Sequence, residues 1–185
     1  MSVSRSLIIR CSDAYRRVRN TFRYLLSNLY DFDPNVNTIS YEELLEIDRW
    51  ALHKTQELIK DVTLSYESLQ LHRAFHNIYN FCTVEMSAFY LDILKDRLYT
   101  FAKNSKERRS AQTVMQYILV NLVKLSAPVI VHTAEEVWSA ISYKDEDVSS
   151  IHLSTFPKCT SAWIDDSLNE RWEKLINMRT DVARE

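Results

Sequence analysis

The 185 residues contain no glycine, where ordinary usage near 7% predicts about 13. Motifs that bring backbone close to a phosphate through glycine are therefore excluded. These are the P-loop, the dinucleotide fingerprint, the Gly-rich kinase loop and the nucleophile elbow. Hairpins built on Asn-Gly or Asp-Gly are excluded with them, which disfavours an all-β fold. Proline is scarce, with three in the chain, so helices should run long. No run of 18 apolar residues offers a membrane span. The apolar stretch after residues 1–5 is too short for a signal peptide. The three cysteines, Cys11, Cys82 and Cys159, are odd in number and too widely spaced for a zinc knuckle. A reduced cytoplasmic setting is the default expectation. Charge of one sign is lacking too: 23 Lys+Arg face 25 Asp+Glu, a net of -2. That balance argues against a uniformly basic nucleic-acid binder or a polybasic membrane protein. What is present is 46% hydrophobic residues, enough for a real core in one domain, or one domain with an appendage.

Over residues 3–30 the side chains Leu7, Cys11, Tyr15, Val18, Phe22, Leu25 and Leu29 recur at three- and four-residue intervals. They form one stripe of a long amphipathic helix, ~40 Å of rod at 1.5 Å per residue. Pro34 ends it. Ser40-Tyr41-Glu42-Glu43 reads as a capping box opening a second helix over 40–66, with Leu44, Ile47, Ala51, Leu58 and Val62 inward. A third helix should span 69–99, its core side Phe75, Ile78, Tyr79, Cys82, Met86, Phe89 and Ile93, with the polar stretch 63–68 marking the break. Asn104-Ser105-Lys106-Glu107 opens a fourth, stopped by Ala127-Pro128, and Thr133-Ala134-Glu135-Glu136 opens a short fifth reaching 141. Residues 142–150 read as a polar loop, and alternation over 149–156 predicts a short strand. From Asp165 a last amphipathic helix carries Trp172, Leu175, Ile176 and Met178. No helix-ending signal precedes Glu185, so the chain is expected to be cut from a longer protein. The expected fold is all-α, an antiparallel bundle of four to five long helices with a short β piece near 149–156 and a C-terminal helix. The expected organisation is a bundle over 1–141, a linker over 142–160 and the start of a junction over 161–185.

The balanced charge is unevenly placed. Residues 2–30 carry Arg5, Arg10, Arg16, Arg17, Arg19 and Arg23 against Asp13 alone. Arginine pairs bidentately with phosphate and stacks on bases. Arg16, Arg19, Asn20 and Arg23 share one helix face, opposite the stripe through Tyr15, Val18 and Phe22. Such a row can hold several backbone phosphates in register. It can equally be a solvated face pairing with acids on a neighbouring helix. A second cluster, Lys103, Lys106, Arg108 and Arg109, sits at a helix start, where the macrodipole disfavours cations unless an anion is near.

Other combinations carry less. His72 and His76 are four apart on a helix, but no HExxH or ExxH pattern accompanies them, so no metal site is expected. Asp92 and Asp96, with Lys95 and Arg97 interleaved, read as helix ion pairing rather than an acid/base couple. Cys82 reads as a buried inert thiol. No nucleophile arrangement of Ser, His and Asp is recognisable, so no catalytic residue is assigned.

The run Tyr15-Arg16-Arg17-Val18-Arg19-Asn20-Thr21-Phe22-Arg23-Tyr24-Leu25-Leu26 resembles the first helix of the anticodon-binding helical domain of class I aminoacyl-tRNA synthetases. Residues 46–52 (EIDRWAL), 80–99 (NFCTVEMSAFYLDILKDRLY), 107–114 (ERRSAQTV) and 133–138 (TAEEVW) extend the likeness in the same order. Together they look like the isoleucyl-tRNA synthetases rather than their valyl or leucyl relatives. The resemblance covers roughly residues 3–157. Ser27 stands where that family often has Gly, and Val131-His132 where Pro-Phe is common.

The resemblance implies a helical bundle that clasps the inner side of tRNA between a catalytic core and the anticodon. The whole enzyme of that family activates isoleucine with ATP and Mg, transfers it to tRNA and edits valine at a separate domain, since one methylene discriminates too little in binding. Zinc belongs to a C-terminal module of that family. A chain without glycine cannot hold the family's His-x-Gly-His type signature, and no Lys-Met-Ser-Lys-Ser type loop appears, so no ligase activity and no cofactor are expected of these residues themselves. The implied tRNA contacts are Arg16, Arg17, Arg19, Asn20 and Arg23 first, then Arg97, Arg108 and Arg109. For some of these, Arg97 above all because it sits among acids, internal salt bridging is the competing reading. The competing functional readings are a stand-alone helical protein-interaction bundle and a carboxylate-bridged metal oxidase.

Overall fold

The structure is a computed structural model that describes residues 5–182. Residues 3 and 4 of the expected first helix, and the Leu7 side chain, lie outside the described residues. Four rods alternate in direction. α1 (Arg5–Asn28) runs from an upper end to a lower one, and α3 (Glu46–Glu67) returns. α4 (Leu71–Asn80), a π-helical stretch (Phe81–Tyr90) and α5 (Leu91–Tyr99) form one descending rod, and α6 (Lys106–Ser126) ascends. The short α2 (Pro34–Asn37) follows α1, α7 (Val131–Ala140) folds back along α1, and α8 (Asp166–Val182) lies across the outside. The all-helical bundle expectation holds.

The core follows from the stripes. Val18, Phe22 and Leu25 of α1 meet Trp50, Ile59 and Val62 of α3, Ile78, Cys82, Met86 and Leu94 of the third rod, and Met115, Ile118 and Leu122 of α6. Each such side chain contributes about 1.5–3 kcal/mol by leaving water. α6 opens as the sequence implies, with the Ser105 hydroxyl accepting from the Arg108 amide at 3.3 Å. The Ser40 box does not form. Its hydroxyl donates instead to the Glu43 carboxylate at 3.3 Å, a 3₁₀ turn covers Tyr41–Glu43, and α3 begins only at Glu46. The Leu45 amide is taken by the Ser110 hydroxyl of α6 at 3.2 Å, which replaces the cap.

The third rod shows why one inward residue was misplaced. Across the π-helical stretch amides bond back five residues, as Leu91 does to the Met86 carbonyl. This adds a residue to the turn and advances the inner face by one. Leu94 and Leu98 are therefore buried while Ile93 is exposed.

The strand expected near 149–156 is absent. Ile151–Leu153 is a 3₁₀ turn, held because the Ser150 hydroxyl caps His152 and the Glu135 carboxylate accepts from the Ile151 amide at 3.2 Å. Ile151 is buried and Leu153 exposed, with no neighbouring strand among the described residues to complete an alternation. The loop before it is anchored on α6 by Lys124, which reaches Asp145 at 2.6 Å and Glu146 at 2.7 Å. Beyond it, the Thr160 amide bonds Gln56 Oε1 at 2.7 Å and the Asp165 amide bonds His53 Nδ1 at 2.9 Å. These bonds deliver α8 to the bundle, where Trp172 packs on Trp50 and Phe89. Leu168 is buried there, whereas Leu175 and Met178 face solvent. Among the described residues no helix is long and apolar enough to cross a membrane.

Candidate nucleic-acid interface

Burial of Val18, Phe22 and Leu25 fixes the rotation of α1. With that face inward, the geometry of 3.6 residues per turn places Arg16, Arg19, Asn20 and Arg23 outward. All four, and Arg17, are exposed. α7 lies alongside: the Tyr15 and Thr133 hydroxyls meet at 2.7 Å. Between the two helices runs a groove of about 250 Å³, bordered by Arg19, Asn20, Arg23, Thr133 and Glu136. Acidic matching of the row is partial. Arg16 meets Asp13 at 2.8 Å with most of its side chain in water, and Arg19 lies 3.9 Å from Glu136. Among the described residues no carboxylate lies within ion-pairing distance of Arg17 or Arg23. Exposed pairs of this kind contribute about 0–1 kcal/mol, so a polyanion can displace them. Glu136 and Thr133 were not singled out from sequence as part of this face. The opening turn of α7 was legible, but nothing in it points toward α1.

Arg97, Arg108 and Arg109 are placed differently, inside the lower end of the bundle. Arg97 donates to both oxygens of the fully buried Asp48, at 2.6 and 2.8 Å, and Tyr90 and Ser110 donate to the same carboxylate. Burial opposes the Arg97 charge, but the hydrogen bond and charge of Asp48 outweigh it and raise its pKa. Arg108 grips Asp31 bidentately at 2.7 and 2.9 Å. Arg109 donates to the Asp31 carbonyl, Gln112 and Asn104. Burial pushes the Asp31 carboxyl up, but the bonds from Arg108 and Gln112 and the nearby guanidinium charges bring it below the usual range. The anion that excuses cations at the start of α6 is thus a side chain of the same chain. These three arginines tie the turn after α1 and the start of α3 to α6, and their guanidinium groups are not presented to a ligand. Lys106, exposed, pairs with Glu43 at 3.0 Å.

The remaining candidates resolve simply. His76 shares a hydrogen bond with Asn80 at 3.0 Å. Asp92 pairs with Lys95 at 2.8 Å and with Arg179 at 3.2 Å. Cys82 is buried, and burial pushes its thiol up to about 12, which leaves it unreactive. Among the described residues no group of three or more metal-ligating side chains comes together.

The up-and-down helical bundle, with an exposed arginine row on its first rod, is an architecture shared with known proteins. The family described as the anticodon-binding domain of tRNA ligase matches residues 48–185, and the chain belongs to that family. Isoleucine–tRNA ligase of Geobacter sulfurreducens is 49% identical over 182 residues, covering 98% of this chain and 19% of that protein. Isoleucine–tRNA ligase of Caldanaerobacter subterraneus subsp. tengcongensis is 44% identical over 185 residues, covering 100% and 20%. The chain therefore spans about a fifth of these relatives. Its fold is shared by LeuRS in the LeuRS–tRNA–LeuAMS ternary complex of Agrobacterium radiobacter K84, with a TM-score of 0.59, 18% identity, and 89% of this chain and 18% of that one covered.

Proposed function

We propose that this chain is the tRNA-binding part of an isoleucine–tRNA ligase. It positions isoleucine tRNA for ATP- and Mg-dependent aminoacylation carried out by other parts of the same ligase. The observation that carries this reading is the row Arg16, Arg17, Arg19, Asn20 and Arg23, exposed along α1 and opposite its buried stripe. The row neutralises backbone phosphates and so fixes the register of the RNA along the rod. The work is positioning: holding the acceptor end where the reaction occurs removes orientational entropy from the chemical step. Within this reading residues 1–141 are the binding bundle, 142–160 a link, and 161–185 the beginning of a junction to the rest of the ligase. The names of the relatives support isoleucine as the amino acid. Zinc, if the ligase uses it, is held outside these residues.

The test is binding of isoleucine tRNA and of a non-cognate tRNA across a salt series. Counterion release predicts an affinity that falls steeply with salt, with a slope shallower by about one unit after Arg16→Ala or Arg23→Ala. Absence of measurable tRNA binding, with tight binding to an acidic protein instead, overturns the proposal in favour of a protein-interaction bundle.

A further inference from the structure

The segment that links α7 to α8 is a strap laid across α6 and α3. Gln116 of α6 donates to the Tyr143 carbonyl at 2.6 Å, and Lys124 holds Asp145 and Glu146 just beyond. Gln56 of α3 then accepts from the Thr160 amide at 2.7 Å. Between these ties the strap roofs a cavity of about 670 Å³, floored by α3, α6 and the turn before α3. That size falls within the ~300–1,000 Å³ of ordinary small-molecule sites. A void so large forfeits dispersion contacts along its walls, and the hydrogen bonds of the strap oppose its collapse.

The lining has an aromatic wall, idle acceptors and free positive charge. The rings of Tyr41 and Trp163 are parallel to within 6° with centroids 5.9 Å apart, and Trp163 meets Tyr117 edge-on at 4.8 Å. Tyr41, Tyr117 and Trp163 are half-buried, so ring surface is left for a planar group to stack on. Asn121 is 7% exposed, and its Nδ2 donates to the Tyr117 carbonyl at 2.7 Å. Gln116 Nε2 is taken up by Tyr143. Among the described residues neither of these side-chain amide oxygens receives a hydrogen bond. An unused acceptor in an enclosed site calls for an N–H donor. The two carboxylates of the lining, Asp145 and Glu146, are both engaged by Lys124. Lys144, over the Trp138 ring at 5.4 Å, and Lys158 are exposed lining residues. Among the described residues neither has a carboxylate within ion-pairing distance, so the free charge of the site is positive.

We infer that the cavity under the strap binds a purine mononucleotide that bears an exocyclic amino group. The base stacks on the wall of Tyr41, Trp163 and Tyr117 and gives its amino N–H to Asn121 or Gln116. The phosphate reaches Lys158 or Lys144. A pyrimidine covers less of the wall, and phosphate alone leaves both wall and acceptors unused. The inference stands apart from the arginine row: that row is on α1, whereas this site is built from α3, α6 and the strap. The same chemistry has two sources, a free nucleotide and an unpaired residue of a bound RNA.

The test is calorimetric binding of AMP to the 185-residue chain, beside adenosine, purine riboside monophosphate and inorganic phosphate. Saturable AMP binding is expected, about tenfold tighter than that of adenosine or purine riboside monophosphate, with none for phosphate alone. Lys158→Glu leaves the ties of the strap alone. It should weaken AMP by about tenfold or more and adenosine not at all. Trp163→Leu should weaken both. Should that variant fail to fold, NOE contacts from the AMP ring protons to the Trp163 and Tyr117 rings of the unsubstituted chain carry the same information. Failure of AMP to saturate, or binding unmoved by Lys158→Glu, overturns the proposal. AMP that binds the tRNA-loaded chain as well as the free chain supports a free nucleotide. Displacement of AMP by tRNA supports the same site filled by a residue of the RNA. AMP binding by a chain that fails to bind tRNA keeps this site and sinks only the arginine row.

Discussion

Asp48 and Arg97 are locked together in the interior, the two carboxylate oxygens 2.6 and 2.8 Å from the two guanidinium nitrogens. Tyr90 and Ser110 complete the carboxylate's hydrogen bonding, so helices α3, α5 and α6 and the π-helical stretch meet on one charge. Removing one partner leaves the other buried and unpaired, which costs about 3–5 kcal/mol. Arg97→Ala is expected to lower the urea midpoint accordingly, whereas the salt slope of tRNA binding by the folded fraction should not change. A shallower slope with full stability would mean that Arg97 contacts phosphate after all.

How legible this arrangement is in sequence depends on where the information lies. The stripe of α1 and its outward arginines follow from local periodicity, so Val18, Phe22 and Leu25 and the opposite row were placed correctly. The inward placement of Arg108 and Arg109 was not legible in this way, because their partner Asp31 lies 77 residues away from Arg108 in the chain, and only the awkwardness of cations at a helix start hinted at an anion. Ile93 was placed inward because a 3.6-residue period was carried through a stretch that turns more slowly. The strand at 149–156 was read from an alternation that has no partner strand to pair with. For Arg108, Arg109 and the strand the deciding contact is tertiary, which periodicity cannot see, whereas for Ile93 it is a local change of period.

Glu136 is the acid that faces the arginine row across the groove from α7, 3.9 Å from Arg19. Both side chains are mostly in water, so the pair is weak, but Glu136 must lose its hold and tolerate a nearby phosphate when RNA docks. Glu136→Gln is expected to tighten tRNA binding by about two- to fivefold at low salt, the scale of an exposed ion pair. The effect should fade as salt screens it. Unchanged affinity in a low-salt titration would place the RNA away from the groove between α1 and α7.

The loop over 142–156 is held through one half-buried acid, Glu146. The hydrogen bond from Lys124 first, then those from Thr155, lower the Glu146 carboxyl to about 2. A carboxylate depressed in the folded state stabilises above its ordinary value near 4.5, and that stabilisation is lost as pH falls toward 2. The Thr155 amide, which donates to Glu146 at 3.2 Å, should therefore shift in an NMR titration with a midpoint near 2. Lys124→Met should move that midpoint up toward the ordinary carboxylate range. A wild-type midpoint already in that range would show that Lys124 does not hold the loop.

The absence of glycine has its clearest local consequence where α3 ends. The Gln70 amide bonds the Ser65 carbonyl at 2.8 Å and the Leu69 amide bonds that of Tyr66 at 3.0 Å. This is the two-bond helix terminus that needs a left-handed residue after the cap and ordinarily uses glycine. Leu69 occupies that position at φ 56°, against a steric penalty of about 1–2 kcal/mol from its Cβ. Glycine removes that penalty but adds freedom to the unfolded chain, an offset of about 0.5–1 kcal/mol. Leu69→Gly is therefore expected to raise the stability of the 185-residue chain by about 0.5–1 kcal/mol, since an exposed leucine contributes little burial to lose. Leu69→Ala keeps the Cβ and should leave the urea midpoint where it is. If alanine and glycine both lower the midpoint, the leucine side chain makes a stabilising contact within the chain that outweighs the steric penalty at this position.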